Sequence, residues 1–344
     1  MKITIDGHQL EVAPGTTILQ AARMVGGASV PPTMCYYSPG KLKDCGGKCR
    51  CCLVEVSKGS ERDPRPMPKL QPSCVTAVQD GMEVKSGTSE RAVKARKAVT
   101  EFLLINHPLD CPVCDQAGEC DLQDLAMNTK DFKSRFVEQK RTFEPEDIGP
   151  YIQLHMNRCI LCYRCVRLAD QLTDGRVHGV VGRGEHAQIS TYISNVIDND
   201  FSGNVIDVCP VGALTDKTFR FKSRVWFAKP YDAHRNCTKC KGKTVLWMFG
   251  DDVLRVTARK DMYKEVDDFI CNECRFDHKD PKDWTIEGPR KITGHSVQSV
   301  NNYSEPLKKV EMKVDDLILE GRKSDQKKIS MVDVPLDKKD KEEK

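Results

Sequence analysis

Seventeen cysteines in 344 residues fall into four groups along the chain, many of them spaced C-x2-C. That spacing lets one tight turn aim two thiolates at a single centre. Thiolate is a soft ligand that selects zinc and iron–sulfur clusters. The competing use of so many cysteines is a disulfide framework, which suits secreted chains. Against it, "MKITIDGHQL" opens as a strand pattern, not as a basic stretch followed by a long apolar run. The odd count and the repeated pairs point instead to metal sites in a reducing compartment.

The first group is Cys35, the run "GGKCRCC" with Cys49, Cys51 and Cys52, and then Cys74. A plant-type 2Fe-2S centre uses two closely spaced cysteines on a loop, one before them and one distant. Cys49 and Cys52 have the close spacing, and Cys35 and Cys74 complete four thiolates. Gly46 and Gly47 let the backbone fold around a cluster and turn N–H groups toward sulfur. Cys45 and Cys51 are left over, and Cys51 suits a buried structural role.

The stretch "HPLDCPVCDQAGEC" holds Cys111, Cys114 and Cys120, with His107 four positions ahead of the first. A lone histidine is usually a surface residue or a satisfied core residue. Here, however, three thiolates lack a fourth ligand, and the preceding helix pattern stops at Asn106. One imidazole in place of a thiolate makes a cluster less negative and raises its potential, as in Rieske centres. The residues leave both readings of His107 open. The third group, "RCILCYRC" with Cys159, Cys162 and Cys165, wraps three corners of a cubane, and Cys209-Pro210 in "VCPVGAL" closes the fourth. Forty-three residues separate Cys165 from Cys209, so the set serves one cluster. The last group, Cys237, Cys240, Cys271 and Cys274, forms two matched C-x2-C pairs with strand patterns between them. It suits either a zinc site or a further cubane.

These ligands must be positioned by small elements. The chain is 39% hydrophobic and only 6% aromatic, with 23 glycines and 18 prolines. That composition suits several small modules better than one large core. "ITIDGHQLEV" alternates around Asp6-Gly7 as a hairpin, "PGTTILQAARMV" reads as a helix capped by Thr16 or Thr17, and "CLVEV" reads as a strand. Hairpin, helix and strand in that order open a β-grasp fold. A helix is predicted from Thr88 or Ser89 to about Ile105, with Ala92, Ala95, Val99 and Phe102 on one side. "KSRFVEQKRTFEPEDIGP" reads as a connector, "TVLWMF" and "DVLRVTA" as strands, and no core pattern survives after Trp284. The expected class is α+β: a β-grasp ferredoxin-like domain, small 4Fe-4S modules, and a small β-rich metal domain. The expected boundaries are 1–78, 79–145, 146–225 and 226–283, with a charged tail over 284–344.

In order, the motifs C-x13-C-x2-C with "CLVEV", H-x3-C-x2-C-x5-C and C-x2-C-x2-C-x43-C-P resemble the N-terminal iron–sulfur half of the 75 kDa subunit family of respiratory complex I (NADH-quinone oxidoreductase), over residues 1 to 280. The resemblance implies a 2Fe-2S cluster on Cys35, Cys49, Cys52 and Cys74. It implies one 4Fe-4S cluster on His107, Cys111, Cys114 and Cys120, and another on Cys159, Cys162, Cys165 and Cys209. In the family, electrons from the flavin-bearing subunit pass the 2Fe-2S centre, then the all-cysteine cubane, then the His-ligated one, toward quinone. Some bacterial members carry a further cubane on C-x2-C-x3-C and a distant Cys. Thr244 stands where its third cysteine belongs, and Cys274 is available in its place. The family normally continues with a molybdopterin-oxidoreductase-like domain, and the expectation here is a short form lacking it.

The expected role is electron transfer within an NADH:quinone oxidoreductase. The expected partners are the NADH/FMN-binding subunit and the quinone-proximal subunits of the peripheral arm. No G-x-G-x-x-G lies between a strand and a helix, so nucleotide chemistry belongs to a partner. A net charge of +4 gives no reason to expect nucleic acid, and no apolar run approaches the ~18 residues of a membrane span. The expected location is peripheral, on the cytoplasmic face of a bacterial inner membrane. Two alternatives remain: the electron-transfer subunit of an NAD-linked hydrogenase or formate dehydrogenase, and a zinc-binding assembly module.

Overall fold

Asp6 and Gly7, at φ 48° and 87°, reverse the chain between β1 (Lys2–Ile5) and β2 (His8–Glu11). Both central residues of such a tight hairpin need positive φ, which explains the Asp-Gly pair. Thr17 and Gln20 then form a reciprocal capping box that starts α1 (Ile18–Val25). The computed structural model describes residues 1–38, 40–42, 46–129, 134–144, 146–172, 178–191 and 199–290. Cys45 and the charged tail from 291 onward lie outside them. The described residues all fall in one unit, Met1–Pro306.

With β3 (Leu53–Lys58), β4 (Gln71–Pro72) and β5 (Met82–Lys85), the first region forms a sheet in the order β2-β1-β5-β3-β4, with β1 and β5 parallel. Ile18, Ala21 and Ala22 of α1 pack on Ile3, Ile5, Val54, Val56 and Val84, which is the expected β-grasp core. Burying such an aliphatic side chain contributes about 1.5–3 kcal/mol.

Helix α2 (Glu90–Leu104) starts at Ser89, whose Oγ accepts from the Ala92 amide at 3.1 Å. Its buried face differs from the predicted one. Ala92, Arg96 and Thr100 are buried, and Phe102 is 72% exposed. Arg96 turns the helix: its Nε donates to the Leu53 carbonyl at 2.7 Å and its Nη2 to Ser86 Oγ at 2.9 Å. A short helix α3 (Asp121–Thr129) follows Cys120 directly.

The middle region contains β6 (Glu146–Asp147), β7 (Ile152–Leu154), α4 (Arg164–Leu172), β8 (His178–Val181), β9 (Gln188–Thr191), α5 (Asn204–Val208) and β10 (Leu214–Asp216). The sheet β10-β7-β6 and the two helices enclose Ile152, Leu154, Leu168, Val208 and Leu214 together with Cys165 and Cys209. Last comes an antiparallel sheet, β13-β12-β11-β14, from β11 (Lys229–His234), β12 (Lys243–Phe249), β13 (Asp252–Ala258) and β14 (Thr285–Pro289). Strand β14 carries the sheet past position 283, where the sequence pattern ends. Most of its residues are exposed, so no apolar alternation marks it.

This last region clasps each of the others through ion pairs. Glu265 takes Arg23 at 2.9 Å, and Arg255 takes Glu119 at 2.8 Å. Lys264 lies 3.0 Å from Asp121 and 2.8 Å from Asp124, in the first turn of α3. Arg275, 1% exposed, pairs with buried Asp207 at the end of α5.

Candidate metal centres

Cys49 and Cys52 lie on the loop that enters β3, and Cys74 follows β4 across from it, with the Ser73 amide bonded to the Cys52 carbonyl at 3.1 Å. Cys35 completes the set from the other side. The amides of Lys48 and Cys49 donate to its Sγ at 3.3 and 3.4 Å. Gly46, at φ 108°, passes so close that a Cβ would lie 3.0 Å from the Cys35 Sγ and carbonyl oxygen. Arg50, between Cys49 and Cys52, holds a left-handed φ of 62°. The thiols pair two and two. Hydrogen bonding to Cys49, then burial, pushes Cys35 well above the usual thiol range, whereas hydrogen bonding from Cys74 pulls Cys52 down to about 7. Four enclosed thiols cannot all ionise together without a cationic core between them. Cys51 is fully buried in an apolar cluster.

The third group closes around a small cavity. Cys159, Cys162, Cys165 and Cys209 line it with Leu154, Ile160, Ile189 and Val211. Cys165 lies in the first turn of α4, and Cys209 caps the end of α5. Leu161 and Tyr163, the residues just before and after Cys162, have φ of 52° and 60°. Bulky residues adopt that region only where the surroundings enforce it, so the strain marks a functional loop. One result is an amide aimed at sulfur, Leu161 N to Cys159 Sγ at 3.3 Å. Burial pushes Cys209 up to about 11, and Cys159 and Cys165 further.

The second group is more open. Cys111 is exposed, and Cys114 and Cys120 are buried. His107 lies just past the end of α2, its amide bonded to the Leu104 carbonyl at 3.1 Å. Its Nδ1 is buried with no hydrogen-bond partner among the described residues, while the ring also meets a backbone group of Arg158. Burial, with the charges of Arg158 and Lys140, depresses His107 to about 4, so its imidazole is neutral near pH 7. A neutral imidazole with one free buried nitrogen fits a ligand better than a surface or satisfied core histidine.

The three groups are joined in series. Arg167 of α4 donates through Nη2 to the Cys35 carbonyl, and Lys48 Nζ lies 3.9 Å over the Tyr163 ring. Cys35 is near enough to raise Cys162. On the other side, the Asp121 amide donates to the Pro210 carbonyl at 3.1 Å. A Cβ on Gly212 would lie 2.1 Å from Cys114 Sγ. The segment Cys209–Gly212 therefore touches both cubane candidates. Ligand spacing alone does not pick out Arg50, Leu161, Tyr163, Arg167 or Gly212. Only Gly212, three residues past Cys209, carries a visible signal.

In the fourth group, Cys237 Sγ lies 3.7 Å from Cys271 Sγ, and Cys240 Sγ lies 3.6 Å from Cys274 Sγ. All four sulfurs fall within 4.8 Å of one another. Thr244 is buried on β12 and donates to the Ala233 carbonyl at 3.5 Å, apart from the group.

Residues 1–89 match the family described as a 2Fe-2S iron-sulfur cluster binding domain, residues 96–131 the NADH-ubiquinone oxidoreductase-G iron-sulfur binding region, and residues 149–215 the ferredoxin-like domain of NADH-quinone oxidoreductase subunit 3. An NADH-quinone oxidoreductase subunit of Rickettsia felis is 38% identical over 317 residues, 91% of this chain and 44% of the relative. The NADH-ubiquinone oxidoreductase 75 kDa subunit of Reclinomonas americana is 40% identical over 291 residues, 84% of this chain and 40% of the relative. The chain thus spans less than half the length of these relatives. A solved NAD+-reducing [NiFe]-hydrogenase in the H2-reduced state contains a chain similar to this one, with a TM-score of 0.55 and 29% identity over 65% of this chain and 90% of that one. With its 2Fe-2S and 4Fe-4S binding domains in the same order, the chain belongs to the family of the NADH-quinone oxidoreductase 75 kDa subunit, whose iron–sulfur region it carries.

Proposed function

We propose that this chain is an electron-carrying iron–sulfur subunit of an NADH:quinone oxidoreductase and makes no bonds of its own. Iron–sulfur clusters, when bound, supply one-electron carriers whose potentials the protein tunes. Cys35, Cys49, Cys52 and Cys74 would hold a 2Fe-2S cluster, and their two-and-two pairing suits two irons. His107, Cys111, Cys114 and Cys120 would hold one 4Fe-4S cluster, and Cys159, Cys162, Cys165 and Cys209 another. The remaining residues exclude water and set potential. Leu154, Ile160, Ile189 and Val211 enclose the all-cysteine set, and backbone amides point at Cys35 and Cys159.

One observation carries the reading: the three sets lie in the series first, third, second, linked by Arg167 and by Cys209–Gly212. That is the order the resemblance implies. The partners would be the NADH/FMN-binding subunit on the 2Fe-2S side and the quinone-proximal subunits beyond the His/Cys set. No helix of the described residues is long and apolar enough to cross a membrane, which supports a peripheral place on a membrane complex. A cytoplasmic face of a bacterial inner membrane fits that place. The anaerobically isolated chain is expected to bind about ten irons in one 2Fe-2S and two 4Fe-4S clusters. Fully reconstituted protein with under half of that iron would end the reading.

A second reading is favoured by the hydrogenase likeness: an electron-transfer subunit of an NAD-linked hydrogenase. That chain matches only 65% of this one. Gentle copurification discriminates, since a nickel-bearing partner would select the hydrogenase reading.

A further inference from the structure

The fourth cysteine group is built to a tighter gauge than the other three. A single zinc ion with thiolates at about 2.3 Å sets its sulfurs on the corners of a tetrahedron with edges of about 3.8 Å. The Cys237–Cys271 and Cys240–Cys274 sulfurs lie 3.7 and 3.6 Å apart, with all four inside 4.8 Å. In a cubane each thiolate binds a different iron, so the inorganic core holds the sulfurs well beyond one ion's tetrahedral edge. The other three sets provide an internal control. All twelve of their ligand candidates are described, yet no three of them gather within the same limit.

The surroundings are those of a metal knuckle. The Lys239 amide donates to Cys237 Sγ at 3.4 Å, the Gly242 amide to Cys240 Sγ at 3.3 Å, and the Cys274 amide to Cys271 Sγ at 3.5 Å. Gly242 has φ 64°, and a Cβ there would lie 2.0 Å from the Arg235 carbonyl oxygen, so only glycine closes this turn. Four thiolates around a divalent ion leave a double negative charge. Arg235 Nη1 stands 3.5 Å from Cys274 Sγ to offset part of it. Cys271 and Cys274 are fully buried. A π-helical turn, Glu273–Asp277, begins at the last pair, a local irregularity that often accompanies a binding site.

We propose that Cys237, Cys240, Cys271 and Cys274 bind one zinc ion, and that this site is structural and carries no electron. Zinc has no redox chemistry in proteins and outcompetes ferrous iron at a four-thiolate site. Its job is mechanical. It fixes the turn that carries Arg275, whose partner Asp207 lies two residues ahead of Cys209. The ion thereby holds the fourth ligand of the all-cysteine set in place from outside.

The assignment rests on the fourth group alone, so it survives or fails apart from the relay reading. Metal analysis of the full chain, isolated without chelators, should find one zinc per chain beside the iron. X-ray absorption at the zinc edge should find four sulfur neighbours at about 2.3 Å. The double variant Cys237→Ser/Cys240→Ser should lose the zinc and keep the wild-type iron. Zinc at background in the wild type overturns the proposal, as does a single iron at the site, nitrogen or oxygen in the zinc shell, or a loss of about four irons in the variant. If the variant does not fold, wild-type chain grown with cobalt decides. The intense near-ultraviolet charge-transfer bands and visible bands of tetrahedral cobalt thiolate support the site, and their absence overturns it. Missing iron alongside full zinc would instead overturn the relay reading.

Discussion

His107 presents one buried nitrogen without a partner, in a set that otherwise has three thiolates. His107→Cys would keep four ligands and add one negative charge. Redox-titrated EPR is then expected to give an intact cluster with a lowered midpoint, and His107→Ala a labile one. An unchanged signal and midpoint in His107→Cys would return the histidine to a polar packing role. Gly212 permits a sharper test of the same site. A methyl group there would drive into Cys114 Sγ, so Gly212→Ala should bring iron from about ten to about six per chain while the 2Fe-2S signal stays. At this scale the candidate ligands can be read from the sequence, because metal chemistry dictates residue type and spacing. The left-handed Leu161 and Tyr163 cannot, because nothing in a leucine or a tyrosine announces a strained backbone.

At the scale of elements, the β-grasp opening was readable from Asp6-Gly7, Thr17 and the alternation of Ile3 and Ile5, since each is a local signal. Helix α2 was readable in extent but not in orientation. Apolar periodicity predicts that Phe102 faces inward, and the helix instead buries Arg96, an ion with partners that only the folded sheet supplies. Replacing Arg96 with Met keeps the bulk and removes the hydrogen bonds to Leu53 and Ser86. Charge-assisted bonds of this kind are worth about 1.5–3 kcal/mol each. The urea midpoint for loss of the 2Fe-2S absorbance should therefore drop clearly, and an unchanged midpoint would mean that Arg96 merely fills space. Strand β14 escaped the sequence because an exposed edge strand needs no apolar pattern to pair with β11.

Across the whole molecule, the last region acts as a clamp whose jaws are ion pairs to each of the other three. None could be read from the sequence, since each joins residues far apart in the chain. The deepest is Arg275 with Asp207. Removing one partner of a buried pair costs about 3–5 kcal/mol, because the other is left charged and unpaired. Arg275→Met should therefore destabilise the chain strongly, and Arg275→Met with Asp207→Asn should recover much of the loss. The readout is the midpoint of chemical denaturation followed at the all-cysteine cluster. Strictly additive losses would mean that the two residues act independently.

Cys111 is the exposed ligand of its set, and the neighbouring cubane candidate leans on the same segment, Cys209–Gly212, that abuts Cys114 and Cys120. The arrangement has a consequence for survival in air. In the isolated chain, oxygen and peroxide would reach a cluster held by His107, Cys111, Cys114 and Cys120 first. A cluster on Cys159, Cys162, Cys165 and Cys209, enclosed by Leu154, Ile160, Ile189 and Val211, would be reached later. Bleaching should therefore run inward from one end of the row.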